Sequence, residues 1–213
     1  MNEVELKWEK HWRRMSNLEE FASPYGRWLR KQRLNILRRI IWGFPRNWKV
    51  IELGCGSGTV LKVFRDMGFK HSIGVDISRS AIHKACKLYG FREGRDVYVM
   101  DAKNTVFPSR SFDIVSEEGL WEHFRNYEPF IREACRLSRR YVLAVQPDHF
   151  TLTGALLKWG WELFMRHMGG IREYSYPLKH YIQLMNHYGF KLVKTIPTIL
   201  REEKYMIFKR KKI

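Results

Sequence analysis

Between residues 48 and 146 short apolar runs alternate with segments of helical periodicity. WKVIEL (48–53), HSIGVD (71–76), VYVM (97–100), FDIVS (112–116) and YVLAVQ (141–146) predict five strands. Helices are predicted between them at 58–67, stopped by Gly68, at 79–89, stopped by Gly90, and at 126–138. The strand runs are almost wholly Val, Ile, Leu and Tyr, as expected when both faces of a sheet are covered. Strand, helix, strand, repeated, implies right-handed crossovers and a mostly parallel, doubly wound α/β sheet with helices on both faces.

The flanks read differently. Residues 3–21 are rich in Trp and charge and predict a helix. Ser23-Pro24 then has the form of an N-cap followed by proline at the first helical position, and Gly43 and Pro45 mark the far end of that helix. After Pro147 an aromatic-rich, helical insert is expected at 149–170, ending in Gly169-Gly170. A helix at 177–190 and two closing strands, KLVKTI (191–196) and KYMIFK (204–209), complete the chain and bring the strands to seven.

Composition narrows the class. The 213 residues are 45% hydrophobic, enough for a full core, which excludes global disorder. Cys55, Cys86 and Cys135 are too few and too odd in number for a disulfide framework, so a reducing cytoplasmic setting is expected. The charged start MNEVELKWEKHWRR lacks the apolar core of a signal peptide, and no run approaches a membrane span. There is no HExxH and no paired CxxC, so no metal site is expected.

The most informative segment is VIELGCGSG (50–58), in which a strand ends in Glu52, Gly54, Gly56 and Gly58 alternate, and a helix begins. Glycines there let the chain turn tightly and bring a ligand against bare backbone, with free helix N–H groups behind. In an open parallel sheet, ligands bind beyond the carboxyl ends of the strands. A phosphate loop would need GxxxxGK[ST], which is absent. A dinucleotide fingerprint needs GxGxxG, and counting from either Gly54 or Gly56 fails at the third glycine. The anion Glu52 suits a cationic ammonium better than a pyrophosphate.

Glu52-Leu53-Gly54-Cys55-Gly56-Ser57-Gly58 resembles the [DE]xGxGxG motif of class I S-adenosylmethionine-dependent methyltransferases, small-molecule type. Asp76 in GVDIS stands where that family places an acid on the ribose hydroxyls, and Asp101 in VMDA where it often places one near the adenine amine. Phe107-Pro108 and Ser111 to Val115 resemble the stretch leading into the family's fourth strand, so the likeness spans about residues 48–146. The resemblance implies a seven-stranded Rossmann-like sheet with an antiparallel last strand and S-adenosyl-L-methionine as cofactor. It implies cofactor contacts from Glu52, Gly54, Cys55, Gly56, Gly58, Asp76, Ile77, Asp101, Ala102 and Glu117. Cys55 is also read as a small packing residue, and Asp113 as structural.

Residues 1–47 are expected to form an N-terminal helical lid and 48–213 the donor-binding domain, with a substrate-covering insert at about 149–176. The methyl group arrives already activated on sulfur, so the protein's main task is to align an acceptor and exclude water. A general base is needed only if the acceptor must lose a proton. Candidates follow the fourth strand in SEEGLWEHF (116–124): Glu117, Glu118, Glu122 and, as catalytic base, His123, whose alternative is a packing histidine. Trp121 is read as core. The segment lacks the [DN]PP[FYW] of base-amino methyltransferases and the Pro-Cys of cytosine-carbon enzymes. Trp159, Trp161, Phe164, Met165 and Met168 either line an apolar acceptor pocket or pack helices. LSRRY (137–141) and Gln146-Pro147-Asp148 depart from the family's usual turns.

Formal net charge is +17, and residues 1–50 carry 12 basic residues against five Glu. That surface suits RNA or an anionic lipid surface, or is a solvated amphipathic face. The reading is a methyltransferase with a small-molecule or lipid-like acceptor. The alternatives are an RNA methyltransferase and a non-catalytic binding module on a relic fold.

Overall fold

The computed structural model describes residues 3–14, 24–148, 171, 173–174, 176–198 and 203–212. The insert expected at 149–170 lies outside the described residues, as do Ser23 and the second part of the helix expected at 3–21. Seven strands run in the order β3-β2-β1-β4-β5-β7-β6, mostly parallel, with β7 antiparallel to both β5 and β6. They are β1 Val50–Leu53, β2 Ser72–Asp76, β3 Val97–Val99, β4 Phe112–Glu118, β5 Ser138–Pro147, β6 Phe190–Pro197 and β7 Glu203–Arg210. The chain divides into two compact units, residues 1–102 and 103–213.

In the first unit β1, β2 and β3 pair in parallel, with Glu52 opposite Gly74 and Asp76 opposite Val99. All four residues of β1 are buried, which is why its sequence shows no alternation. Four helices accompany these strands: α1 Glu3–Arg14, α2 Pro24–Ile41, α3 Thr59–Asp66 and α4 Arg79–Tyr89. Helix α2 begins at the proline that the sequence marks. Its last carbonyls are satisfied by a side chain, since Arg46 donates to Ile41 O at 2.8 Å and to Trp42 O at 2.7 Å. One of the many basic residues therefore has a structural task. Helix α3 buries Val60, Leu61, Val63 and Phe64. Helix α4 opens on an N-cap, Ser78 Oγ accepting from Ala81 N at 3.2 Å, and closes on Gly90 at φ 68°.

In the second unit α5 Glu128–Leu137 runs directly into β5, so LSRRY forms no separate turn but the start of the strand. Arg140 Nε is then 3.0 Å from Asp113 Oδ1, which gives Asp113 the structural role expected of it. Helix α6 Leu178–His187 precedes the antiparallel β6–β7 pair. Strand β6, at the edge of the sheet, keeps Lys191 and Lys194 exposed and breaks register between Leu192 and Lys194. Lysines and a bulge on an edge discourage pairing with another chain. Cys135 is buried on α5 with Sγ 3.6 Å from Met185 Sδ. Among the described residues no helix is long and apolar enough to cross a membrane.

Candidate active site

The glycine loop between β1 and α3 is built on left-handed backbone. Gly54, Gly56 and Gly58 have φ of 69°, 53° and 79°, a conformation that L side chains rarely adopt. Space is also short. A Cβ on Gly56 would stand 2.6 Å from Cζ2 of Trp12 on α1, and one on Gly58 would stand 2.9 Å from Cε2 of Phe91. Cys55 N–H donates to Val75 O at 2.9 Å, so the loop is tied to the end of β2. The Cys55 side chain points inward, 4% exposed, and packs with Leu61, Ile82, Ala85, Phe91 and Val97. Burial first, and then the charges of Asp76 and Glu52, push its thiol well above the ordinary range. It is a packing residue, as the sequence suggests, and not a thiolate.

Asp76 closes β2 and organises the loop. Its Oδ2 accepts from Gly56 N at 2.8 Å and its Oδ1 from Ser78 N at 2.9 Å. Burial pushes its carboxyl up to about 6, against the pull of the Ser78 and Gly56 N–H groups, and the neighbouring Glu9 charge adds to the rise. Each oxygen retains accepting capacity, so a ligand placed here must offer donors. Glu52 is buried at the carboxyl end of β1, Ile77 is half-buried after Asp76, and Asp101 and the buried Ala102 follow β3. Met100 N–H donates to Asp76 O at 2.9 Å and draws that exit segment towards the end of β2.

Helix α1 adds two residues that pattern reading did not single out. Glu9, 8% exposed, accepts from Ser78 Oγ at 2.7 Å, Ser80 N at 3.1 Å and Ser80 Oγ at 2.5 Å at the N-terminus of α4. Burial alone would raise its carboxyl, but the Ser80 and Ser78 bonds and Arg13 outweigh it and hold it at about 2. Trp12 lies against Gly56, and its backbone O accepts from Lys84 Nζ at 2.5 Å. The available signal was the pairing of an acid in a Trp-rich helix with a Ser-x-Ser helix start, which needs tertiary structure to interpret.

The second unit contributes the segment after β4. Gly119, at φ 77°, reverses the chain into a one-turn 3-10 helix, Trp121–His123. Glu117 is fully buried and Glu122 is 6% exposed. Gln146 Nε2 donates to Glu117 Oε1 at 2.8 Å. Among the described residues Glu117 Oε2, Gln146 Oε1 and Trp121 Nε1 are buried without a hydrogen-bond partner. Burial first, and then the Glu122 charge, raise the Glu117 carboxyl well above the usual range, while Gln146 and the Leu120 N–H pull the other way. Trp121 is 0% exposed, the core position expected, and lies 5.7 Å from the Tyr181 ring. His123 is half-buried on the 3-10 turn and its N–H donates to Leu120 O at 3.2 Å.

The donor set of the first unit fits S-adenosylmethionine. Asp76 would offer acceptors to ribose hydroxyls, Glu52 would offer an anion to an ammonium, and the loop is bare backbone held in one shape. Comparison with known proteins agrees. A family model described as a methyltransferase domain matches residues 16–195. No curated protein sequence matches the chain. Among solved structures, magnesium protoporphyrin IX methyltransferase from Synechocystis, with bound S-adenosylhomocysteine, is 18% identical with a TM-score of 0.72 over 97% of this chain and 98% of that one. A protein from Pyrococcus horikoshii is 18% identical with a TM-score of 0.71, covering 90% and 94%. An S-adenosylmethionine-dependent methyltransferase from Methanosarcina mazei is 15% identical with a TM-score of 0.64, covering 82% and 98%.

Proposed function

Since the chain belongs to the class I S-adenosylmethionine-dependent methyltransferase family, we propose that it methylates a small-molecule acceptor. Asp76, Gly54, Gly56 and Gly58 hold the donor's nucleoside and amino-acid parts, with Glu52, Cys55, Ile77, Asp101 and Ala102 around them. Glu117 serves the acceptor side, in place of the cofactor role that the resemblance gives it. When bound, the cofactor supplies a methyl group already activated on sulfur. The chain's own residues bind, orient and exclude water, and residues 1–47 act as a lid.

The observation that carries this reading is the Asp76–Gly56 hydrogen bond of 2.8 Å across a loop whose three glycines are all left-handed. It fixes an acceptor-only carboxylate beside bare backbone. A relic binding module would have no need to retain this closely packed loop with its three left-handed glycines. The likeness to a magnesium protoporphyrin IX methyltransferase supports a small molecule over RNA as acceptor. Within that reading, a proton lost by the acceptor passes to a side chain of the segment after β4, His123 or Glu117.

Calorimetry with S-adenosylhomocysteine tests the cofactor half: binding is expected in the wild type and its loss in Asp76→Ala, and no binding at millimolar ligand would favour a relic. Transfer of a labelled methyl group into fractionated cell extract tests the acceptor half. Counts are expected in small molecules, and counts that follow RNA would replace this reading.

A further inference from the structure

We propose that the acidic and aromatic cluster after β4, centred on Glu117 and Glu122, recognises a cationic amine, so that the methyl acceptor is an aliphatic amine bound as its ammonium form. The inference rests on the proposed methyltransferase function and names the substrate class of that activity.

The argument is one of donors and acceptors. Glu117 and Gln146 are both 0% exposed. Gln146 Nε2 donates to Glu117 Oε1 at 2.8 Å, so the amide lies against the carboxylate and its own Oε1 is beside it. Both Glu117 Oε2 and Gln146 Oε1 are left without a hydrogen-bond partner among the described residues. Buried acceptors in this state are costly, and a carboxylate without a counter-charge more so. These two oxygens lack a donor, and the carboxylate lacks a counter-charge. An ammonium group brings both: up to three donors and one unit of charge.

The surroundings fit the remainder of such a ligand. Trp121 and Tyr181 are buried with ring centroids 5.7 Å apart, and Tyr127 lies 4.8 Å from Tyr181. Charges on Glu122 and Glu117 both act on the Tyr181 hydroxyl, so the rings and the carboxylates share one neighbourhood. Aromatic faces attract cations, and this segment already holds one, the Arg125 guanidinium 5.6 Å from the Tyr174 ring centroid. Glu122 reaches back towards the turn, its Oε1 3.5 Å from the place of a Cβ on Gly119. Glu122 keeps a residual 6% exposure, against 0% for Glu117.

The cluster also discriminates. A phosphate or carboxylate acceptor would meet two acidic side chains at close range in low dielectric and be repelled. In a chain of net charge +17, an acidic cluster is the least expected place to receive an anion. Before an amine can act as a nucleophile its nitrogen must lose a proton. R–NH3+ gives one proton to a Glu117 carboxylate oxygen, leaving R–NH2 with a free electron pair and a neutral carboxylic acid. One proton moves, no electron is gained or lost, and no further reagent is needed.

The test is calorimetric titration of the complete chain, saturated with S-adenosylhomocysteine, with three probes: phenethylamine, phenethyl alcohol and phenyl phosphate. The amine is expected to bind about tenfold or more tightly than either counterpart. Glu117→Gln and Glu122→Gln are each expected to weaken it by about 10–100-fold, while S-adenosylhomocysteine affinity stays within about threefold of wild type. Thermal melting checks that each variant folds, and Glu122→Gln stands if Glu117→Gln does not. Equal or tighter binding of the alcohol or the phosphate, or no amine binding, overturns the proposal. So does a loss of S-adenosylhomocysteine affinity with amine binding unchanged, which would assign the carboxylates to the ammonium of the cofactor. Failure of the wild type to bind S-adenosylhomocysteine at all would instead overturn the proposed function.

Discussion

Each unit buries, among other acids, one interacting pair, Asp76 with Glu9 and Glu117 with Glu122, and the two pairs meet their donors differently. In residues 1–102, Asp76 receives N–H groups from Gly56 and Ser78, and Glu9 receives three bonds from Ser78 and Ser80. In residues 103–213, Glu117 receives Gln146 on one oxygen while the other has no hydrogen-bond partner among the described residues. The first arrangement shapes backbone: a carboxylate surrounded by N–H groups is a strut that fixes a loop and a helix start. The second is an unfinished coordination sphere. Burial and number of charges are alike, so the supply of donors is what separates a carboxylate that holds the fold from one prepared for a ligand.

Removing the carboxylate that ties down the glycine loop should have the largest effect. Asp76→Ala takes away the acceptor for Gly56 and Ser78 as well as the one offered to ribose hydroxyls. S-adenosylhomocysteine binding is expected to weaken by about 2–3 kcal/mol, or roughly 30–150-fold, measured by calorimetry. The wild type offers a milder form of the same experiment. The Asp76 carboxyl lies at about 6 in the fold, raised from an ordinary 3.8 by burial. A ligand that donates to Asp76 needs it ionised, so affinity should be level above pH 7 and decline by about tenfold per unit below pH 6. The apo fold moves in the opposite sense: its raised carboxyl contributes stability below about pH 4 that is lost as pH rises through about 6. An affinity that does not change from pH 7.5 to 5 would remove Asp76 from the cofactor site.

The second effect concerns the strut between α1 and α4. Glu9→Ala leaves Ser78 Oγ, Ser80 N and Ser80 Oγ without their acceptor and is expected to destabilise the docked α1 by about 2 kcal/mol. Hydrogen exchange across residues 3–14 is the direct readout, since undocking exposes those amides before the sheet opens. Acid should reproduce it. The Glu9 carboxyl is held at about 2, below its ordinary 4.5, so its contribution is present above about pH 4.5 and is lost as pH falls towards 2. Protection of α1 that survives at pH 2.5 would mean that Trp12 packing, not Glu9, holds the helix.

Most of the frame could be read from residue pattern because its causes are local. The strand runs, the Gly90 stop, the Pro24 start and the left-handed glycines each follow from short-range sterics or two-faced burial. Limits of elements moved by a few residues, and β5 began three residues early because nothing in Ser138-Arg139-Arg140 prevents an extended chain. Asp76 was legible through the resemblance of GVDIS to the family's pattern, since an acid at a strand end is by itself as readily a turn or cap residue. Glu9 and Trp12 were not, since 69 residues separate Glu9 from Ser78 and no periodicity reports such a contact. The four candidate groups after β4 were visible as titratable residues. Which of them lacks donors depends on Gln146, a neighbour from another strand.

A third and smaller effect separates the two treatments most directly. In the second unit, neutralising the donor-poor acid should help the fold. Glu117→Gln keeps an oxygen for Gln146 Nε2 and adds an N–H2 beside the unpartnered Gln146 Oε1. A stability gain of about 1 kcal/mol is expected in urea unfolding at a pH where the wild-type carboxyl is ionised, and the gap closes on acidification as that raised carboxyl takes up its proton. Asp76→Asn, which sets an amide N–H2 against an N–H donor, should lose stability. If both substitutions destabilise alike, the contrast between the two acid pairs is wrong and Glu117 is a structural residue.

The smallest effect is expected inside the glycine loop itself. Cys55 belongs to the motif by sequence, yet its side chain faces away from the loop surface. Sγ fills the space beside Gly74, where a Cβ would come within 2.7 Å of it. Cys55→Ala removes one buried sulfur from a cluster with Leu61 and Phe91, and a loss of about 1 kcal/mol or less is expected for so small a void. Cofactor affinity should not change, because the Cys55 backbone bond to Val75 O remains. Cys55→Ser is the sharper probe, since a hydroxyl in that apolar cluster, with only the distant Gly56 O, 3.9 Å from Sγ, as acceptor, costs more stability than the alanine does. A fall in S-adenosylhomocysteine affinity with the melting temperature unchanged would place the side chain against the ligand. A fall in melting temperature with affinity unchanged would leave the loop's recognition to its glycine backbone and to Asp76.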